Sequence, residues 1–169
     1  MSKVTRNIPE ITNVTNKSGV LKFTISNVNV SFVNALRRTI LSDIPISVFK
    51  TSPYEENKCI IDVNTSRLNN EILKQRLSCI PIHIEDVENV DNLQVECEVE
   101  NTSESVIYVT TNDFKIKDTI SEKYLSDNET QKIFPPDSIT KEYILFTRLR
   151  PKVAKTLPGE KISFKCKLS

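Results

Sequence analysis

The clearest hydrophobic periodicity in the sequence lies in residues 31–46, SFVNALRRTILSDIPI. Apolar side chains recur there at intervals of three and four residues, and no glycine or proline interrupts them before Pro45. This spacing predicts an amphipathic helix with Ser31 as its N-cap and Pro45 as its stop signal. The predicted apolar face consists of Phe32, Val33, Leu36, Ile40 and Ile44, widened by Leu41. Because the face is broad for so short a helix, we expect it to need a large partner surface.

Alternation of apolar and polar residues predicts β-strands on both sides of this helix. Residues 20–28 alternate just before it, and the polar residues 1–18 are predicted to contain one further strand. Beyond the helix, strands are predicted at residues 46–50, 59–63, 93–100, 105–111, 143–149 and 161–168. The chain is therefore predicted to be rich in antiparallel β-structure.

Residues 93–100 show the most regular alternation, with glutamates filling most of the polar side. This pattern predicts a strand with one solvent face, and its glutamates would discourage edge-to-edge pairing. The strand predicted at residues 105–111 follows a short turn, so we expect it to be the partner of this strand.

A second helix is predicted at residues 70–79, and Pro81 provides its stop signal. Its apolar face consists of Ile72, Leu73, Leu77 and Ile80. Two polar stretches carry no such periodicity. The acidic residues 85–91 are expected to form a solvated loop, and residues 121–137 a mobile excursion.

The composition narrows the possible functions. Across 169 residues the net charge is only +1, which argues against a dominant nucleic-acid-binding surface, because such surfaces carry a basic excess. Only two glycines occur, so a Gly-rich phosphate-binding loop is excluded. The sequence also contains no run of about 18 apolar residues, the length that would indicate a transmembrane helix.

The residues that most often carry metal or acid–base chemistry are scattered. Cys59, Cys79, Cys97 and Cys166 form no CxxC pair, and His83 is the only histidine. Zinc sites need closely spaced ligands, so no metal site is predicted, and the cysteines are expected to be buried or half-buried small apolar residues. His83 lies in an apolar run and is expected to be a packed residue rather than a base. With no paired-carboxylate or Ser/His/Asp constellation, the sequence predicts neither catalytic residues nor a cofactor.

Two blocks of the sequence resemble a known family. Residues 34–45, NALRRTILSDIP, closely resemble the N-x-L-R-R-x-x-L-x-x-I-P signature of the alpha-like subunits of cellular RNA polymerases. These are bacterial alpha and the third-largest subunit of archaeal and eukaryotic enzymes. Residues 64–82 resemble a second block of the archaeal and eukaryotic subunits, N-T-S-x-L-x-D-E-x-I-A-H-R-L-G-L-I-P. Lys74 and Gln75 depart from it, since they replace a small residue and a histidine.

The resemblance implies an α+β fold. Residues 1–45 would be the first half of a discontinuous dimerisation domain, formed by a strand and a long helix. Residues 46–169 would be a mainly antiparallel β insertion domain with one further helix. The second half of the dimerisation domain, which follows the insertion domain in the family, is then expected to be absent from this chain. A shortened form, a fragment and a split subunit are all compatible with that expectation.

The resemblance also implies a non-catalytic assembly scaffold of a DNA-directed RNA polymerase. The implied partners are a smaller alpha-like subunit, which forms a heterodimer with this one, and the second-largest and largest subunits, with DNA contacted only through the complex. The implied dimerisation interface consists of Phe32, Val33, Leu36, Ile40 and Ile44. The implied large-subunit interface consists of Asn34, Arg37, Arg38, Glu71 and Arg76.

Simpler interpretations stay open for both surfaces. The apolar helix face could be ordinary core, and the two arginines could lie on a solvated helix face, paired with Asp43 or Glu71. The alternative function is a single-stranded nucleic-acid-binding β module that uses Arg37, Arg38 and the aromatic residues. It is disfavoured because four phenylalanines are predicted to face inward, namely Phe23, Phe32, Phe146 and Phe164.

The resemblance leaves the cellular compartment open. The protein is expected in the nucleus if it is cellular and eukaryotic. It is expected in the host cytoplasm or the virion if it comes from a large DNA virus, whose AT-rich genomes fit the Asn-, Ile- and Lys-rich composition. Secretion is not expected in either case, because the N-terminus lacks an apolar run after its charges.

Overall fold

The computed structural model describes residues 8–84, 87–152, 154 and 157–169. The chain divides into two compact units, Met1–Pro45 and Ile46–Ser169. Helices and antiparallel sheets occur together, which confirms the predicted α+β class. The identification of the two ranges as half of a dimerisation domain and an insertion domain stays a prediction. Among the described helices, none combines the length and the apolar character needed to cross a membrane.

The first unit consists of a β-hairpin followed by a helix. Strands β1 (Glu10–Lys17) and β2 (Val20–Ser26) pair antiparallel. Ser18 and Gly19 join them with φ values of 52° and 75°, and two central residues with positive φ suit the right-handed twist of a hairpin. Helix α1 (Val30–Ser42) follows after three residues.

The ends of α1 differ from those predicted. Its N-cap is Asn29 rather than Ser31, because the Asn29 side-chain oxygen accepts a hydrogen bond of 2.8 Å from the Ser31 backbone N–H. At the other end, the Asp43 N–H donates to the Thr39 carbonyl and closes the last turn. The helix stops before Ile44 because a residue that precedes proline is disfavoured in the α conformation.

The second unit contains two antiparallel sheets. The four-stranded sheet has the order β3 (Cys59–Asn64), β8 (Lys161–Lys167), β4 (Leu93–Glu100) and β6 (Lys115–Asp118). The two-stranded sheet pairs β5 (Ile107–Thr110) with β7 (Leu145–Leu149). Helices α2 (Asn70–Ser78) and α3 (Asp127–Ile133) complete the unit, with short 3₁₀ turns at residues 54–56, 87–92 and 111–113.

The core of the second unit is built around aromatic rings. Phe146 and Phe164 lie 5.2 Å apart between centroids, and Phe114 meets both of them edge-on. Phe49 and Phe134 stack at 5.9 Å beside Phe114. Such offset and edge-to-face contacts add to the free energy gained by burying the rings.

Several strand predictions are corrected by the pairing. Residues 46–50 form no strand, because only Phe49 bridges to Leu168. The strand predicted at residues 105–111 begins at Ile107 and pairs with β7 instead of β4. β4 lies between β8 and β6, so its glutamates do not protect an edge. They line its solvent face, where the Glu98 carboxylate accepts a hydrogen bond of 2.7 Å from the Lys161 ammonium.

The polar residues 121–137 contain α3, which the pattern did not predict. Ser126 caps this helix, and the Glu129 carboxylate accepts a hydrogen bond from the Ser126 backbone N–H in return, which is a complete capping box. Ile133 and Phe134 at its end are buried. Within the stretch predicted as an acidic loop, Glu85 and Asp86 lie outside the described residues, and Val87–Asn92 forms a 3₁₀ turn.

Two predictions of burial are wrong. Cys59, Cys97 and Cys166 are buried as expected, whereas Cys79 is exposed just after α2. His83 is exposed too, and it is held through its backbone N–H, which donates to the Ile133 carbonyl at 3.1 Å.

Candidate protein interface

The apolar face of α1 is exposed and is not buried by the hairpin of its own unit. No residue of α1 is buried, and Phe32 and Ile40 are 60% and 52% exposed. All five residues predicted for dimerisation, Phe32, Val33, Leu36, Ile40 and Ile44, are exposed by more than a third. Plain core packing therefore does not account for this face in the described residues.

The helix geometry separates the apolar face from the two arginines. At about 100° per residue, Phe32, Leu36, Ile40 and Val33 fall within an arc of about 100°. Arg37 lies about 40° beyond Val33, at the margin of that arc. Arg38 lies about 170° from its centre, on the opposite side of the helix. Ile44 extends the face past the end of α1.

Arg37 is positioned by its own helix. Its Nε and Nη2 atoms donate to the side-chain oxygen of Asn34 at 3.2 and 3.0 Å. The remaining guanidinium N–H groups stay available to a partner, since arginine has five donors. The alternative ion pair with Asp43 is not seen among the described residues, and the Asp43 carboxylate accepts a hydrogen bond of 2.8 Å from the Ser42 hydroxyl. Arg38 makes no side-chain hydrogen bond within the described residues of its unit.

The hairpin extends the exposed apolar surface of the first unit. Val14, Leu21 and Phe23 are exposed, and no described residue of this unit is buried. Val33, Asn34 and Arg37 line a shallow groove at the start of α1, together with Ile25, Val28, Val30 and Ser31. Phe23 and Phe32 were predicted to face inward, and that prediction is wrong. Phe146 and Phe164 do face inward.

The other two predicted interface residues lie on α2 in the second unit. Glu71 is exposed in the first turn, behind the N-cap Asn69. Arg76 donates from Nε to the Phe146 carbonyl at 2.7 Å and from Nη2 to the Leu145 carbonyl at 2.9 Å. The structure therefore gives Arg76 an internal role, since it ties α2 to β7.

Sequence reasoning missed a groove in the second unit with a volume of about 530 Å³. Four of the seven arginines of the chain line this arginine groove, namely Arg67, Arg76, Arg148 and Arg150. Leu68, Val106, Tyr108, Leu145, Thr147 and Glu160 complete its lining. Its parts come from four separate stretches of sequence, so no local pattern could have indicated it.

The titratable groups of the described residues give no indication of catalysis. No cluster of three or more His, Cys, Asp or Glu residues suited to a metal ion occurs among them. Burial raises the pKa of the Cys97 thiol to about 12, which keeps it protonated near neutral pH. The neighbouring Cys59 thiol and burial together raise the pKa of Cys166 as well.

Comparison with known proteins identifies a family and several relatives. The family model for the RNA polymerase Rpb3/Rpb11 dimerisation domain matches residues 22–142, which is well over half of the chain. Among curated proteins, DNA-directed RNA polymerase subunit Rpo3 of Pyrococcus furiosus is 42% identical over 67 residues, covering 39% of this chain and 23% of that protein.

Two further relatives come from eukaryotes. Subunit 3B of DNA-directed RNA polymerases IV and V of Arabidopsis thaliana is 38% identical over 66 residues, covering 39% of this chain and 18% of that subunit. A conjugation stage-specific protein of Tetrahymena thermophila is 26% identical over 160 residues, covering 86% of this chain and 48% of that protein. The matched regions span less than half the length of each of these relatives.

Proposed function

The chain belongs to the RNA polymerase Rpb3/Rpb11 dimerisation-domain family, and from this membership we propose that it is a non-catalytic assembly subunit of a multisubunit DNA-directed RNA polymerase. In this role it pairs with a smaller alpha-like subunit and docks the second-largest and largest subunits. It contacts DNA only through the assembled enzyme. The polymerase subunits named among its relatives support the proposal.

The observation that carries the proposal is the uncovered apolar face of α1. Single exposed apolar residues are ordinary, whereas a continuous exposed apolar surface is typical of a protein–protein interface. Phe32, Leu36 and Ile40 supply large side chains at its centre, and Val33 and Ile44 extend it. We propose that this face packs against the smaller subunit.

Polar residues of the same helix are proposed to bind the larger subunits. Arg37, oriented by Asn34, borders the apolar face, and Arg38 projects from the other side. A guanidinium can donate two parallel hydrogen bonds to a carboxylate or to neighbouring carbonyls, which suits recognition of a fixed surface. Glu71 and Arg76 are proposed to contribute from α2, although Arg76 already bonds its own unit.

A pull-down from cells that co-express the smaller and second-largest subunits tests both surfaces. Leu36→Asp/Ile40→Asp should abolish capture of the smaller subunit, because it places two charges in the apolar face. Ile139→Asp, at a residue 87% exposed in the second unit, is the matched control and should capture as wild type does. Arg37→Ala/Arg38→Ala should keep the smaller subunit and lose the second-largest one.

The nucleic-acid-binding alternative gives a different result in the same experiment. If wild type captures neither subunit but retains a single-stranded oligonucleotide in a salt-sensitive manner, the assembly role is wrong for this chain. The exposed Phe23 and Phe32 recur with aliphatic residues in the apolar patterns of β2 and α1, so we expect no such retention.

A further inference from the structure

Contacts within the second unit hold three of the four arginines of the arginine groove in place. Arg76 is fixed by two hydrogen bonds to β7, as described above. Arg150 is fixed by Glu160, whose carboxylate accepts from the Arg150 backbone N–H at 2.8 Å and from its Nε at 2.6 Å. Arg148 lies with its guanidinium carbon 5.9 Å from the centre of the Tyr108 ring, a cation–π distance.

The lining carries an uncompensated positive charge. It holds four guanidinium groups and one carboxylate, and that carboxylate is already bonded to Arg150. Arg67 and Arg148 form no ion pair with any carboxylate in the part of the chain that the structure describes. A concave site with cations on its walls attracts anionic groups, and guanidinium groups bind carboxylates with well-defined geometry.

The rest of the lining favours a peptide over a nucleic-acid strand. Leu68, Val106 and Leu145 provide aliphatic surface between the cations, and this suits aliphatic side chains. Tyr108 is the only aromatic residue among the lining residues, and Arg148 already lies against its ring. A single-strand site would instead offer free aromatic faces on which bases could stack.

We propose that the arginine groove binds an acidic peptide segment, in which carboxylate side chains contact Arg67 and Arg148 and neighbouring aliphatic side chains contact Leu68, Val106 and Leu145. The proposal does not rest on the assembly role, because Arg67 and Arg148 belong to neither of the interfaces proposed above. Arg76 is the one shared residue, and the test leaves it unchanged.

Fluorescence polarisation of the purified full chain with a short labelled peptide provides the test. The probe alternates glutamate with leucine, and the matched control peptide carries glutamine in place of every glutamate. The acidic peptide should bind, the glutamine peptide should not, and added salt should weaken binding because it screens charge pairs. Arg67→Gln/Arg148→Gln should weaken binding at least about tenfold, since two charge-assisted hydrogen-bonding groups are lost.

The matched control is Lys115→Gln/Lys165→Gln, which removes two charges from exposed positions of the four-stranded sheet. It should bind the acidic peptide within about twofold of wild type, because the groove is unchanged. Equal losses in both double variants would show attraction by total charge alone and would overturn the proposal. Tighter binding of oligo(dT) than of the acidic peptide, reduced by Arg67→Gln/Arg148→Gln, would overturn it in favour of a nucleic-acid site.

Unchanged affinity for the acidic peptide in Arg67→Gln/Arg148→Gln would also refute the site.

Discussion

Phe146 in the second unit is 1% exposed and touches other aromatic rings, whereas Phe32 in the first unit is 60% exposed. The same residue type thus serves two purposes in one chain. The second unit uses its apolar side chains to build a closed core, and the first unit presents them on a helix and a hairpin without burying any described residue. Hydrophobic pattern alone does not distinguish these uses, because both produce a regular amphipathic face.

The sharpest test of this contrast exchanges each phenylalanine for alanine. Phe146→Ala should lower the free energy of unfolding by about 3–5 kcal/mol, because it leaves a cavity in a packed core. Phe32→Ala should change it by no more than about 0.5 kcal/mol, because the side chain is already in solvent. Urea denaturation measures both: tyrosine fluorescence follows the second unit, where all four tyrosines lie, and the far-ultraviolet helical signal includes α1 of the first unit. A loss of several kcal/mol in Phe32→Ala would contradict the exposed position of this side chain.

The helix caps give a second, smaller comparison. Asn69 caps α2 and Asn29 caps α1, each by accepting a backbone N–H in the first turn. Asn69→Ala should lower the tyrosine-detected stability by about 1 kcal/mol, because α2 packs on the core through Leu73 and Leu77. Asn29→Ala should instead reduce far-ultraviolet helical signal without moving that transition.

Serine variants are the controls for the caps, since serine caps a helix about as well as asparagine. Asn29→Ser and Asn69→Ser should therefore resemble wild type. An equal shift of the tyrosine transition in the two alanine variants would mean that the units unfold as one cooperative structure, contrary to the division seen here.

Lowering the pH should destabilise α3 of the second unit through protonation of Glu129. Hydrogen bonds from the Ser126 hydroxyl and backbone N–H lower the pKa of this carboxyl from its ordinary value. A carboxyl with a lowered pKa in the folded state stabilises the fold fully above its unfolded pKa, and this stabilisation is lost as the pH falls through the lower value. Glu129→Gln should flatten the acid limb of stability against pH, measured by urea titrations below about pH 5, because glutamine also completes a capping box. An unchanged acid limb would rule out this contribution.

Thiol labelling tests the contrast without altering stability. Cys79 is exposed, whereas Cys59, Cys97 and Cys166 are buried. Under native conditions a single thiol, Cys79, should react with a thiol-specific reagent, and Cys79→Ser should abolish this fast phase. The other three should react only after denaturation. Rapid native labelling of any of them would show that the core of the second unit opens readily.

The parts of the fold that could be predicted are those fixed by local pattern. The alternation in β4 and the periodicity of α1 and α2 were sufficient to place these elements within a few residues. α3 was missed because its polar sequence exposes most of its length and buries only Ile133. The pairing of β5 with β7 joins residues about forty positions apart, and a sequence pattern does not specify such a partner.

The candidate sites differ in the same way: one is formed by residues close together in the sequence, and the other by residues that only the fold brings together. The face of α1 was predictable because one helix carries all its residues, although its exposure was not. The arginine groove depends on the positions of α2, β5 and β7 relative to one another. The internal role of Arg76 likewise became evident only from its two bonds to β7.

The position of β8 has a consequence for how the chain is made. This strand comes last in the sequence, yet it lies inside the four-stranded sheet between β3 and β4. During translation β3 therefore has no sheet partner until β8 has left the ribosome. The same applies to Phe49, whose bridge partner is Leu168. Closing such distant contacts is slow because a long loop must be ordered first, so we expect the four-stranded sheet to form only once β8 is available rather than progressively along the chain.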